Sequence, residues 1–203
     1  MNKAILLTCL SSLALTMLFA QDASQEIRVK KVKATVAPQM TPNIQAQFVT
    51  EKRWKPKTWI EIDTEFEVEL AKALGGELAA YGALEFKYYL ATTARDKEGK
   101  TIVMSGSINY TNVPAGDNHA LAYVSPSALR RALSKEDGGK NDVIAYAVAV
   151  SAGGTLLAGD SSQNGRWWED TAKFSIMDGL VVAKGKTPFS VLWGDYDVQA
   201  DSK

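Results

Sequence analysis

WIEIDTEFEVEL, residues 59–70, alternates almost without fault between apolar and acidic side chains. Ile60, Ile62, Phe66 and Val68 share one parity with Thr64, while Glu61, Asp63, Glu65, Glu67 and Glu69 share the other. A period of two sends successive side chains to opposite faces, so this stretch predicts a strand with one face buried and one presented. The same period recurs on either side. Leu84, Phe86, Tyr88 and Leu90 are in phase within ALEFKYYLATTARD, as are Ile102, Met104, Ile108 and Tyr110 within TIVMSGSINYTNV. DKEGK between them predicts a hairpin loop with Gly99 at its tight position. HALAYV, DVIAYAVAV, FSIM, GLVVAKG and PFSVLWGDYDV are further strand candidates, and Asn164-Gly165 is a hairpin signal.

One helix stands out. Ser125 is placed to cap it, Pro126 suits its first position, Leu129 and Leu133 are four apart, and Gly138-Gly139 stops it. About eight to ten short strands with regular turn signals and one short helix predict an all-β fold, an antiparallel β-sandwich. A parallel α/β architecture would need repeated helical crossovers, which the pattern lacks.

The chain opens MNKAILLTCLSSLALTMLFAQ, a lysine followed by an apolar run to Phe19, with Ala20 a plausible last residue before cleavage. This predicts a signal peptide over residues 1–20 and export to the periplasm, outer surface or medium. Thr8 before Cys9 does not favour a lipid anchor. The remainder divides into a polar N-terminal segment with a basic strand (21–44), a sandwich domain (45–198) and a tail (199–203). Within the N-terminal segment, Ile27 and Val29 lie on odd parity but Val32, Ala34 and Val36 on even. The phase changes across Lys30-Lys31, predicting a β-bulge or a strand that switches sheets.

Composition narrows the function classes. Lys plus Arg number 23 and Asp plus Glu 23, so no basic excess points to nucleic acid. Cys9 is the one cysteine and His119 the one histidine. That excludes Cys–His nucleophiles and the usual zinc clusters, and leaves a Ser-His-Asp triad a single possible base. His119 has no evident serine partner, and a surface or capping role is expected for it.

Three groups of residues are candidate sites. The acidic row is the first. Same-face neighbours on a strand stand about 7 Å apart, where like charges in water repel by roughly 0.6 kcal/mol per pair. A solvated face tolerates that. Calcium needs six to eight converging oxygens, which a straight strand does not offer. The favoured reading is a solvated face partly paired with cations, namely Lys87 and the cluster Arg28, Lys30, Lys31 and Lys33. Partner docking through those four cations and Glu61, Asp63, Glu65 and Glu67 is the second reading, and metal binding or catalysis the third. The next group is DSSQNG, which matches the first half of a calcium loop at Asp160, Ser162, Asn164 and Gly165 but has Thr171 where a bidentate Glu belongs. The last is the tryptophans. Trp167 and Trp168 are adjacent, so on a strand one of them faces away from the core, and Trp54 lies in KRWKPK. Trp54, Trp167 and Trp168 are therefore candidates for stacking on sugars, although Lys and Arg stems covering them would explain the same pattern.

The layout from Gln45 to Val198, with the SPSALRRALSKEDGG helix, resembles immunoglobulin-like sandwiches of secreted bacterial surface proteins, though their Cys and Trp core signature is missing. More narrowly, WIEIDTEFEVEL, FKYYLATTARDKEGKTIVMSGSINY and NGRWWEDTAKFSI look similar to a small secreted protein encoded beside pilus-like components in mucin-dwelling gut bacteria. The resemblance implies an immunoglobulin-like fold and an envelope, pilus-associated or adhesive role, and carries over no catalytic residue. The expectation is a non-enzymatic exported protein with no cofactor, acting through contacts with envelope or pilus-like proteins or itself. A lectin-like module using the exposed tryptophans is the alternative. The basic segment suggests strand addition to a neighbour.

Overall fold

The computed structural model describes residues 27–43 and 55–201. Nine strands follow in order: β1 (Ile27–Met40), β2 (Thr58–Leu70), β3 (Ala80–Arg95), β4 (Thr101–Pro114), β5 (Gly116–Val124), β6 (Val143–Ala152), β7 (Thr155–Ser161), β8 (Phe174–Met177) and β9 (Val181–Ala183). Helix α1 (Pro126–Leu133) lies between β5 and β6. One sheet runs β1-β2-β5-β9 and the other β7-β6-β3-β4-β8. Of the first seven strands, β1, β2 and β5 share one sheet and β3, β6 and β7 the other, as the corresponding strands do in an immunoglobulin sandwich, while β4 joins β3 rather than the first sheet; the fold is all-β with one short helix. One pair departs from the antiparallel expectation: β8 runs parallel to β4.

The alternation in β2 is satisfied by its central place between β1 and β5. Ile60, Ile62, Thr64, Phe66 and Val68 point into the space between the sheets and are buried, facing Leu84, Phe86, Tyr88 and Leu90 of β3. Phe66 meets Phe86 edge-on at 5.0 Å, and Phe86 meets Tyr110 likewise at 5.0 Å.

β1 pairs with β2 along nearly its whole length, with a register shift between Lys30 and Lys33 and Lys31 at φ 52°. The bulge explains the phase change: it returns Ala34 and Val36 to the inner face that Ile27 and Val29 already line. The basic segment therefore completes its own sheet. Deleting residues 21–40 removes the buried side chains of Ile27, Val29, Ala34 and Val36 and should therefore unfold the protein; a deletion variant that keeps the circular dichroism of the full chain would contradict this. The free edge of β1 is guarded at Ala34, whose N–H donates to Asp160 Oδ2 on β7 at 2.8 Å. Ser125 caps α1 through the Ala128 N–H at 3.1 Å.

The turn after β7 is not a hairpin. β7 and β8 lie at opposite edges of their sheet, and residues 162–173 cross its outer face. Trp167 is the plug of that crossing, buried among Tyr89, Ala91, Val103, Ala145 and Ala147. The stretch PFSVLWGDYDV forms turns rather than a strand and crosses the outer face of the other sheet.

Buried phenols make the core alkali-sensitive. Burial pushes Tyr88 and Tyr110 well above the usual tyrosine value. Tyr110 donates to Leu121 O at 2.8 Å, and the two hydroxyls lie 3.3 Å apart. Above about pH 10 the unfolded chain ionises these groups while the folded chain does not. Their effect is absent below that pH, and stability falls as pH rises through it, by up to about 1.4 kcal/mol per pH unit for each phenol. Urea midpoints measured across that range should fall less steeply in Tyr88→Phe, and an unchanged slope would contradict this account.

Candidate functional site

The outward parity of β2 carries the acidic row onto the outer face of the β1-β2-β5-β9 sheet. It is less open to water than a solvated face. Glu61, Asp63 and Glu67 are half-buried, and only Glu65 and Glu69 are exposed. Each half-buried carboxylate has a dedicated donor. Tyr123 O–H donates to Glu61 at 2.7 Å, Tyr196 O–H donates to Asp63 Oδ2 at 2.6 Å, and Lys31 Nζ pairs with Glu67 at 2.7 Å. His119 Nδ1 sits 2.9 Å from Asp63 Oδ1, so the ring carries its proton there to bond the carboxylate.

Cations from β1 take the remainder. Lys30 reaches Glu69 at 2.5 Å and Arg28 reaches it at 4.0 Å. The hydrogen bond from Lys30 holds the Glu69 carboxyl low, and the bond to Glu67 holds the Lys31 ammonium high. Lys33 stands opposite Glu65 in the register without an ion pair among the described residues. All eight residues singled out for docking are thus brought onto two neighbouring strands, where Lys31 and Glu67 pair with each other, Arg28 and Lys30 pair with Glu69, and Glu61 and Asp63 are held by side chains from other parts of the chain. Lys87 is a correction: it belongs to β3 in the other sheet and lies 5.8 Å from the Tyr89 ring centroid.

Residues 184–201 close over this face. Their anchor is Lys184, whose Nζ pairs with Asp197 at 2.5 Å and donates to Trp193 O at 3.1 Å; the two side chains are only 9% and 8% exposed. Phe189 lies flat on Tyr123 at 4.7 Å and meets Trp59 edge-on at 5.6 Å. Burial, then the bond to Asp63, pushes the Tyr196 phenol up, and its ring packs on His119 at 4.3 Å. Val198 N donates to His119 O on β5, while Thr111 N donates to Gln199 O and Asp201 N to Asn109 O on β4. The segment therefore stitches the two sheets together along one side.

Held this way, the segment exposes a short ridge: Val191 is 72% exposed, and Trp193 and Tyr196 are each 46% exposed. Trp193 sits at φ 52°, a region that bulky residues avoid. Such a conformation persists only where the surroundings impose it. Beside the ridge is a hollow of about 380 Å³ that includes Asp117, His119, Asp195 and Tyr196. The ridge carries no strand or helix period, so alternation could not have found it; the aromatic and glycine density of LWGDY was its one signal.

The candidate tryptophans fare differently from one another. Trp54 lies outside the described residues. Trp167 and Trp168 occupy a short 3₁₀ turn, Trp167–Glu169, rather than a strand, so the opposite-faces argument does not apply. Trp167 is 9% exposed and its Nε1 donates to Ser161 Oγ at 3.0 Å, which leaves it no open ring face. Trp168 is half-exposed but stacks one face on Tyr89 at 5.0 Å. In DSSQNG, both Asp160 oxygens accept backbone N–H groups, from Ala34 and Ser161. Among the described residues, no cluster of three or more His, Cys, Asp or Glu side chains is arranged to hold a metal ion, and no helix is long and apolar enough to cross a membrane.

Two sheets in immunoglobulin order, with both outer faces crossed by later chain, define an immunoglobulin-like β-sandwich. A family model matches residues 20–203, and the chain belongs to that family. It is also similar to a crystal structure from Akkermansia muciniphila, a mucin-dwelling gut bacterium, at 28% identity and a TM-score of 0.76. That alignment covers 88% of this chain and 95% of the other. No curated protein matches.

Proposed function

We propose that this chain is an exported, non-enzymatic protein of the cell envelope that acts through protein contacts, with the ridge of Val191, Trp193 and Tyr196 as its contact surface. The ridge carries the reading. Exposed Trp and Tyr, pinned by a nearly buried ion pair and edged by carboxylates, are the residue types that dominate binding energy at protein interfaces. The apolar leader over residues 1–20 supports export, and the likeness to a protein of a mucin-dwelling bacterium supports an envelope or pilus-associated setting. The carbohydrate-binding alternative retains Trp168, the half-exposed member of its described pair.

The test places a photo-crosslinking amino acid at Val191 in the cell that makes the protein. Cross-links to envelope proteins, lost in Trp193→Asn while the fold is kept, are the expected result. Asparagine tolerates φ 52°, so that variant isolates the side chain from the backbone. No protein cross-links, together with saturable glycan binding that Trp168→Ala abolishes, would transfer the function to the lectin reading.

A further inference from the structure

The chain has no net charge, yet two of its surfaces carry unpaired charges of opposite predominant sign. One end of the sandwich gathers the entry to β2, the β3–β4 loop and the helix with its following loop. There Lys55, Lys57, Lys97, Arg131 and Lys140 are exposed without an ion pair among the described residues. Glu136 and Asp142 at that end are already engaged by Arg130 and Lys135. Glu98 and Asp137 are the exposed carboxylates left there, so cations predominate. Between these elements opens a cleft of about 810 Å³, framed by Pro38, Pro56 and Pro126; Lys57, Arg130, Lys135 and Lys140 line it against Glu136, Asp137 and Asp142, of which Asp137 alone is not engaged by Arg130 or Lys135.

The ridge has the opposite character. Glu65, Asp117 and Asp195 are exposed around Trp193 and Tyr196, again without an ion pair among the described residues; Lys31 is committed to Glu67, and Lys33, opposite Glu65, is the one unpaired cation of the neighbouring β1, so carboxylates predominate. Proline rings and guanidinium planes are good surfaces for aromatic rings, and carboxylates flanking those rings meet ammonium groups flanking that cleft. A polyanion would satisfy the cleft alone. A second copy satisfies both surfaces at once.

We propose that the partner of the ridge is the basic cleft of another copy of this chain. The inference rests on the reading that the ridge is a protein-contact surface. Trp193 and Tyr196 of one copy seat among the prolines and Arg130 of the next, while Asp195, Glu65 and Asp117 face Lys57 and Lys140. The two surfaces are different patches, so the contact is heterologous and each bound copy offers a fresh ridge or cleft to another.

Sedimentation velocity on the exported chain tests this. Mass should rise with protein concentration at about 0.01 M salt, with the association constant falling about tenfold or more by about 0.15 M. Trp193→Asn/Asp195→Lys removes the ridge, and Lys57→Glu/Lys140→Glu removes the cleft. Each variant alone should stay monomeric and keep its circular dichroism. Mixed, they should form dimers and nothing larger, because one intact ridge and one intact cleft remain. A wild-type chain that is monomeric at every concentration in low salt overturns the proposal. So does a ridge variant that associates as strongly as wild type, or a chain that stays monomeric and instead binds anionic lipid vesicles through Lys57 and Lys140. If self-association fails while cross-links from residue 191 to other envelope proteins persist, the contact function stands without it. If both fail, both fall.

Discussion

Asp197→Ala is expected to destabilise the protein by about 3–5 kcal/mol, a large share of what a domain of this size has to lose. Its partner Lys184 is 9% exposed, and removing the carboxylate leaves an ammonium out of water with only Trp193 O to bond. Lys184→Met should cost a comparable amount, because it strands the carboxylate instead. The double change Lys184→Met/Asp197→Leu should recover most of the loss, since apolar groups of similar volume need no pairing. Urea melts of the four proteins give the comparison. Single variants that each cost under about 1 kcal/mol would mean the pair is effectively solvated. The same melts followed by tryptophan fluorescence should show Trp193 and Tyr196 released first, because the pair anchors the segment that presents them.

Gly106→Val should abolish folding or cost more than about 3 kcal/mol. A Cβ at Gly106 would lie 2.2 Å from Val181 O and 3.0 Å from Val181 C. Those are backbone atoms of β9, where the two sheets meet and Leu180 N donates to Ser105 O at 2.9 Å. A side chain there separates the sheets. Gly82→Val is the control: it is also a strand glycine, with nothing within 4 Å of an added Cβ, and its effect should stay within about 0.5 kcal/mol. A Gly106→Val protein with a melting temperature near wild type would refute the close approach.

Much of the sandwich was legible because its signals are local. The parity of Ile60 to Val68 named the buried face of β2, and the parity break at Lys30-Lys31, which allowed a bulge or a switch of sheets, falls at the bulge between Lys30 and Lys33. Ser125 and Pro126 announced the helix in the same way. What failed to show depended on distant contacts. Parity says which side of a strand Lys87 occupies but not which sheet the strand joins. The local sequence around Trp167 and Trp168 predicts a strand, because nothing local distinguishes a 3₁₀ turn lying on a sheet from a short strand within one. Asn164-Gly165 signals a reversal, yet the chain there crosses a whole sheet to reach β8. The acidic row is the sharpest case. Its alternation was plain, but its cover comes from Tyr196, 133 residues away.

That separation has a kinetic consequence. Tyr196 with Asp63, Val198 with His119 and Asp201 with Asn109 are contacts whose formation requires very long loops to close. Chains dominated by such pairings fold slowly, on the millisecond-to-second scale. While the first seven strands wait for residues 184–201, the seam between β4 and β5 lacks its stitching and backbone groups along both strands stand unpaired. An intermediate with two unsatisfied strand margins is a template for other chains. The interval before this segment docks is the period in which the molecule is most in need of a chaperone.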